Sequence, residues 1–212
     1  MVKTTSHAAG RIRQGDILRD VQYLSEASLA GGISQTDGAA FPLVIVLTQD
    51  CDLSQDFMCR HDKKRSQDKA LISALVAPLY NAEHFYAGMH LSGRGIRSEP
   101  INKSKTQGTF LRNNQNPRFH YLEFPDDIEL VAHVIDFKHY FSVSLARLEP
   151  ARPSGYVCTL SQLYREDVSQ RFASFLSRIA LPDGEEAPEP GLGSHLMEPP
   201  ASDPLGGVNS SD

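Results

Sequence analysis

The segment Gln49-Asp50-Cys51-Asp52 places two carboxylates and a thiol at the polar end of the apolar run Leu43-Val44-Ile45-Val46-Leu47. If the extended chain continues through it, alternate side chains share a face, so Asp50 and Asp52 project together while Cys51 points with Gln49 the other way. Two carboxylates on one face can hold a divalent metal ion, or split their pKa values so that one is a base and the other an acid. The plainer alternative is that Asp at a strand end caps the following turn. Cys51 becomes a nucleophile only if a cation or a paired His stabilises its thiolate; otherwise it is an inert thiol. His120 and His139 are best placed by strand assignment to approach it, and His120 is the candidate proton carrier.

Two further sets of residues have chemistry to offer. Cys51, Cys59 and His61 form a Cys-x7-Cys-x-His set of ligand types that zinc takes, with a fourth ligand to be borrowed from His84 or His120. Arg60, Lys63, Lys64, Arg65 and Lys69 make one basic segment; Arg94, Arg97, Lys103, Lys105, Arg112 and Arg118 make another, in which Glu99 is the only acid. Such segments can track a phosphate backbone, Lys63, Lys64, Arg65, Arg112 and Arg118 foremost, with Tyr86, Phe110, Phe119 and Tyr121 for base stacking. The alternative is a solvated, charged loop.

The elements that must position these groups are mostly strands. Leu43 to Leu47 is short, β-branched and apolar at every position, which predicts a strand buried on both faces. Residues 15–23 predict an earlier strand, followed by a small-residue loop through Gly31 and Gly32 to Gly38. Residues 71–77 predict a third strand ended by Pro78, and a long connection runs from 81 to 118. Residues 118–124, 128–137 and 139–145 predict three more strands, the last two pairing as a hairpin. One helix is expected, from Leu160 to Ala180, with Tyr164, Val168, Phe172, Leu176 and Ile179 as its apolar stripe, Thr159 and Gln162 as a capping box, and Pro182 as its stop.

Composition bounds the rest. With 212 residues and 40% hydrophobic content the chain can bury one sizeable core. Residues 183–212 contain seven acids, no Lys or Arg, and ten Pro or Gly, which predicts a disordered acidic tail. Without it, 19 acids face 21 Lys and Arg, so residues 1–182 carry about +2 although the whole chain is -5, and an anionic partner is not excluded. Three cysteines and no apolar leader predict reduced thiols in a cytoplasmic protein with no membrane span. The expected layout is a flexible segment 1–10, a domain 11–182 and the tail.

Gly15-Asp16-Ile17, Pro42 followed by Val44 to Leu47, the strand 71–77 ending in Pro78, and the strands and helix from Ile128 to Ala180 come in an order that resembles the MazF/PemK-like toxin family. The resemblance implies a mainly β (α+β) fold, an SH3-like barrel carrying a long inserted loop and one C-terminal amphipathic helix. It also implies a homodimer and cleavage of single-stranded RNA. The family places Arg immediately before the proline of the second strand, where this chain has Phe41. It places Thr or Ser after the proline of the third, where this chain has Leu79-Tyr80-Asn81. The expectation is therefore an RNA-interacting barrel, an endoribonuclease only through a non-standard site built from Asp50, Asp52 and His120. The alternatives are a non-catalytic module that binds a protein partner, and a Cys- or zinc-dependent hydrolase centred on Cys51.

Overall fold

A strand that is apolar at every position must be covered on both sides, and this requirement organises the molecule. The computed structural model describes residues 1–178 apart from 8, 9, 31, 32, 63 and 65. Its strands are β1 (Thr4–Thr5), β2 (Asp16–Ala30), β3 (Ile33–Val46), β4 (Ser73–Asn81), β5 (Phe119–Leu122), β6 (His133–Asp136), β7 (Phe141–Ser144) and β8 (Tyr156–Leu160). Its helices are α1 (Asp50–His61), α2 (Ala82–Tyr86), α3 (Thr106–Arg112), α4 (Leu145–Gly155) and α5 (Gln162–Leu176). The strands form one antiparallel sheet in the order β1-β8-β2-β3-β4-β6-β5, with β7 also paired to β4. This is a mixed α+β fold. The pairing does not close into a ring among the described residues, but Val2 N–H donates to Glu123 O (2.6 Å), bringing the chain beside β1 to the chain beside β5.

The residues of β3 alternate between two cores. Leu43, Ile45 and Leu47 join Ile17, Ile135 and Phe137 beneath Val168, Phe172 and Phe175 of α5. Val44 and Val46 face the opposite way, against Val76, Phe141, Leu53 of α1 and Leu145 and Leu148 of α4. Val44 and Ile45 are 0% and 1% exposed, and burying each such side chain stabilises the fold by about 1.5–3 kcal/mol. A third, smaller core gathers Phe85, Tyr86, Leu91, Leu111 and Val134 under the long connection, which contains α2 and α3.

Several expectations are corrected. Residues 128–145 do not make a hairpin: β6 and β7 lie end to end along β4, Asn81↔His133 to Leu79↔Ile135 and then Val76↔Phe141 to Ser73↔Ser144, separated by a 3-10 turn at Phe137–His139. Strand β4 runs through Pro78. Residues 77 and 78 lie in the gap between its β6 and β7 partners, a place where a strand tolerates proline. Residues 33–38, read as loop, belong to β3, which pairs with β2 as a long hairpin. Residues 1–10 were expected to be loose, yet Val2 is 7% exposed and Thr4–Thr5 pair with Thr159 and Leu160. The free edge of β5 is covered by Asn114, whose Oδ1 accepts from Tyr121 N–H (2.5 Å) and whose Nδ2 donates to Tyr121 O (3.2 Å).

Helices other than α5 were missed. In α1 the buried positions are Leu53, Asp56 and Cys59, so a carboxylate occupies the inward stripe and hides its apolar periodicity. Asp56 is held there by Arg60 Nε (2.8 Å) and Leu71 N–H (2.5 Å). Helix α4 contains Pro150 and Pro153, residues that argue against a helix in sequence. Helix α5 buries Phe175 and leaves Leu176 50% exposed, and its N-cap is Ser161. Thr159 is a buried residue of β8 and caps nothing; Ile179, Pro182 and the acidic tail lie outside the described residues. No helix among the described residues is long and apolar enough to cross a membrane.

Candidate functional site

The strand-end carboxylates do not share a strand face, because Asp50 opens α1 and the chain is helical through Cys51 and Asp52. Successive helical residues turn by about 100°, which puts Asp50 and Asp52 on different sides of the axis. Asp50 is engaged with protein: Arg11 Nη1 and Nη2 donate to its two oxygens at 3.0 and 2.7 Å, and Gln14 N–H donates to Oδ1 at 3.3 Å. Burial raises its pKa, but the Arg11 hydrogen bonds and charge outweigh this and hold it below the usual carboxylate range. Asp50 thereby fastens the segment before β2 to α1. Asp52 and Cys51 are exposed on the first turn of the helix, the thiol facing Gln49 Oε1 and Asp52 Oδ1 at 3.6 Å each.

The zinc set is not assembled either. Cys51 and Cys59 belong to one helix, eight residues and so about 12 Å apart along its axis, too far for one ion. Cys51 is exposed, Cys59 is buried, and His61 Nδ1 is bonded to Phe57 O at 2.8 Å. Among the described residues no group of three or more His, Cys, Asp or Glu is placed to hold a metal. Lys63 and Arg65 lie outside the described residues, and Lys64 is exposed with its N–H on Asp62 Oδ1.

His120 is a core residue, 2% exposed against Phe137. Burial first, then the charge of Arg171, pushes its pKa down to about 3, although Asp167 Oδ2 lies 3.9 Å from Nε2. A proton carrier must change state near the working pH, so His120 is unsuited to that role. Its titration instead predicts a stability profile. The unfolded chain takes up a proton near pH 6.5 and the folded chain only near 3, so stability is lost as pH falls through that window, by up to about 1.4 kcal/mol per pH unit. Urea midpoints at pH 7 and 5 should fall less steeply in His120→Gln than in the parent. Equal slopes would show that His120 does not titrate as its burial requires.

What the fold does bring together is a cluster on β4, β6 and the long connection. Asp136, 0% exposed, ends β6 and accepts two hydrogen bonds from Arg118, Nε to Oδ1 (2.8 Å) and Nη2 to Oδ2. His139 Nδ1 lies 3.5 Å from Asp136 Oδ2 and 3.0 Å from the Tyr80 hydroxyl. His90 stacks on Phe85 (4.2 Å between centroids) and meets Tyr80 edge to face (4.9 Å), its Nδ1 buried without a hydrogen-bond partner among the described residues. His90 is also the shared wall of two hollows. The first, about 450 Å³, has Phe85, Phe110, Phe119, Glu99 and Arg118 around it. The second, about 350 Å³, has Phe41, Tyr80, His84 and Arg94. The Arg94 guanidinium lies 4.1 Å over the ring of Phe41 and makes no ion pair among the described residues.

No protein-family model matches this chain, and no curated protein matches it.

The chemistry of the cleft follows from burial and charge. Burial lowers the pKa of His90 and of His139 below the usual histidine range, partly countered by Asp136, so both rings are neutral at pH 7. Burial, then the charge of Asp136, raises Tyr80, which stays a neutral hydroxyl. Neutral imidazoles and a phenol beside a guanidinium that has no ion pair among the described residues can donate hydrogen bonds to a phosphate and its ester oxygens. Of the residues singled out in sequence, Arg94, Arg118, His84, Phe110 and Phe119 line these hollows and His139 borders them. Arg112 lies apart at the end of α3, close to the Tyr86 hydroxyl. Tyr80, His90 and Asp136 were missed: Tyr80 and Asp136 are embedded in apolar strand runs, and His90 follows Gly88-Met89 with no pattern to mark it.

Gly88 packs behind Ser98 and Glu99, which line the first hollow. Its φ of +71° favours glycine, and a Cβ there would meet Ser98 O at 2.3 Å. Gly88→Ala should therefore push residues 98–101 outward and cost about 2 kcal/mol or more. Thermal unfolding checks this, and a loss below about 0.5 kcal/mol would show that the segment yields freely.

Proposed function

We propose that the chain is an RNA-interacting protein of the MazF/PemK-like barrel type, which takes single-stranded RNA across the two hollows that meet at His90. The observation that carries this is the guanidinium of Arg94, held over Phe41 with no ion pair among the described residues. Phe41 is the position where the resembled family has Arg, so a residue from the long connection brings the charge back to the same spot. Tyr80 follows Pro78 by two residues, close to where that family has a hydroxyl side chain, and its own hydroxyl lies 3.0 Å from His139 Nδ1. Phe110, 48% exposed, and Phe119 supply faces on which bases can stack. The hydrogen bond between the ends of the sheet and the cover of α5 over Phe137 are what an SH3-like barrel would have.

Anisotropy of a labelled single-stranded RNA tests the proposal. Arg94→Glu should weaken binding about tenfold or more and lower the salt slope by about one, as expected when one phosphate contact is removed. Phe110→Ala should cost about 1–3 kcal/mol at all salt concentrations. Binding that ignores both substitutions overturns the proposal.

A second reading, endoribonuclease activity, is favoured by the neutral rings of His90 and His139 beside Arg94, since a neutral imidazole can take a proton from an attacking hydroxyl. Incubating a long labelled RNA with the protein in magnesium or in chelator decides it. Cleavage that is lost in His90→Gln would establish it, and intact RNA in both conditions would remove it.

A further inference from the structure

The first hollow holds more than stacking surfaces. Glu99, on its lining, is exposed and makes no ion pair among the described residues. The other carboxylate there, Asp136, is fully occupied: Arg118 donates to both its oxygens and Lys138 N–H donates to Oδ1 at 3.0 Å. Arg118 is held rigidly by that pairing and by stacking on Phe119, its Cζ 4.9 Å from the ring centroid. With Nε and Nη2 committed to Asp136, its Nη1 has no protein partner among the described residues. The lining thus presents a free carboxylate acceptor pair, a fixed free donor and aromatic walls.

From this we infer that the first hollow recognises a guanine base. Guanine alone among the four bases carries two adjacent donors, N1–H and the N2 amine, beside the acceptor O6. Glu99 can accept from both donors, as a carboxylate does from a paired fork, and Arg118 Nη1 can donate to O6. Uracil offers a single N3–H flanked by two carbonyl oxygens, which would face the second carboxylate oxygen repulsively. Adenine and cytosine place an acceptor next to their amine and leave one Glu99 oxygen unpaired. Phe110 and Phe119 supply the stacking faces. The inference rests on the RNA reading for its source of guanine, but its chemistry is that of the base alone.

The test compares four labelled oligouridines, with one central guanosine, inosine, adenosine or uridine, on the full-length protein and on Glu99→Gln. The parent should bind the guanosine strand about tenfold more tightly than the adenosine strand, with inosine, which lacks the N2 amine, between them. Glu99→Gln should bring guanosine and inosine together and narrow the preference of both over the all-uridine strand, because the amide replaces one acceptor by a donor that suits a uracil carbonyl. Equal binding of guanosine, inosine and adenosine, with Phe110→Ala still weakening all of them, would overturn the guanine assignment and keep the RNA reading. If no strand binds, calorimetry with guanosine monophosphate separates the two ideas. Binding lost in Glu99→Gln would keep the guanine hollow and dismiss RNA as its source; no binding would end both.

Discussion

Replacing Asp16 with Ala is expected to lower stability by about 3–5 kcal/mol, a large part of the roughly 5–15 kcal/mol that a domain of this size possesses. Asp16 is 0% exposed and is the hub of a buried polar network. Thr159 Oγ1 donates to it at 2.6 Å and Arg13 N–H at 3.0 Å, while His7 Nε2 lies 2.9 Å and Arg152 Nε 3.5 Å away. Arg152 is itself only 4% exposed, stacked at 4.5 Å on Tyr156, so removing the carboxylate strands a buried cation. The same loss releases His7 and with it the N-terminal strand. Urea denaturation reads the effect, with Thr159→Val as a control that removes one hydrogen bond and costs about 1 kcal/mol. An Asp16→Ala midpoint within about 1 kcal/mol of the parent would mean that the network is not holding β1, β2 and β8 together.

The second large effect is expected at the floor of the cleft. Arg118→Met should cost about 3 kcal/mol, because the buried Asp136 carboxyl would lose the guanidinium that pairs with both its oxygens. For a chain of this length that corresponds to a fall in Tm on the order of 6–12 °C. The double variant Arg118→Met/Asp136→Leu removes the unpaired carboxyl and should regain part of the loss, even though the cap on Lys138 N–H goes with it. A double variant less stable than the single one would show that Asp136 matters through its own cap and its approach to His139 more than through Arg118. Both variants should lose discrimination at the guanine hollow, since each lacks the donor Nη1.

Some of this was legible in the residues. Leu43 to Leu47 announced a strand covered on both faces because an apolar side chain at every position leaves no face for water. Val168 and Phe172 announced the inward stripe of α5 by their spacing, although one residue of drift moved its end from Leu176 to Phe175. Gly15-Asp16-Ile17 was recognisable as a pattern, and its physical content is now plain. Gly15 turns the chain at φ +80°, where a Cβ would come within 3.1 Å of Arg165 Cβ, and Asp16 delivers the buried carboxylate. The six cations of the long connection were also visible as a group. Their division was not: Arg118 is paired with Asp136 and Lys103 with Glu83, while Arg94 lines the cleft over Phe41.

The candidate site moved for a similar reason. Asp50, Cys51 and Asp52 are adjacent in sequence, and adjacency was read as a shared face, which holds only if the chain stays extended. One carboxylate at each end of the problem settled otherwise: Asp50 could pair with Arg11, far away in sequence, and Asp56 could be buried in α1 because Arg60 and Leu71 N–H satisfy it. The sequence by itself determined which segments had to be buried, since period and composition are local properties that burial acts on directly. Only the tertiary structure decided which charges are cancelled and which are left free, because that depends on partners brought together across the sheet, Arg118 with Asp136, Tyr80 with His139, Arg94 with Phe41, and no local pattern records them.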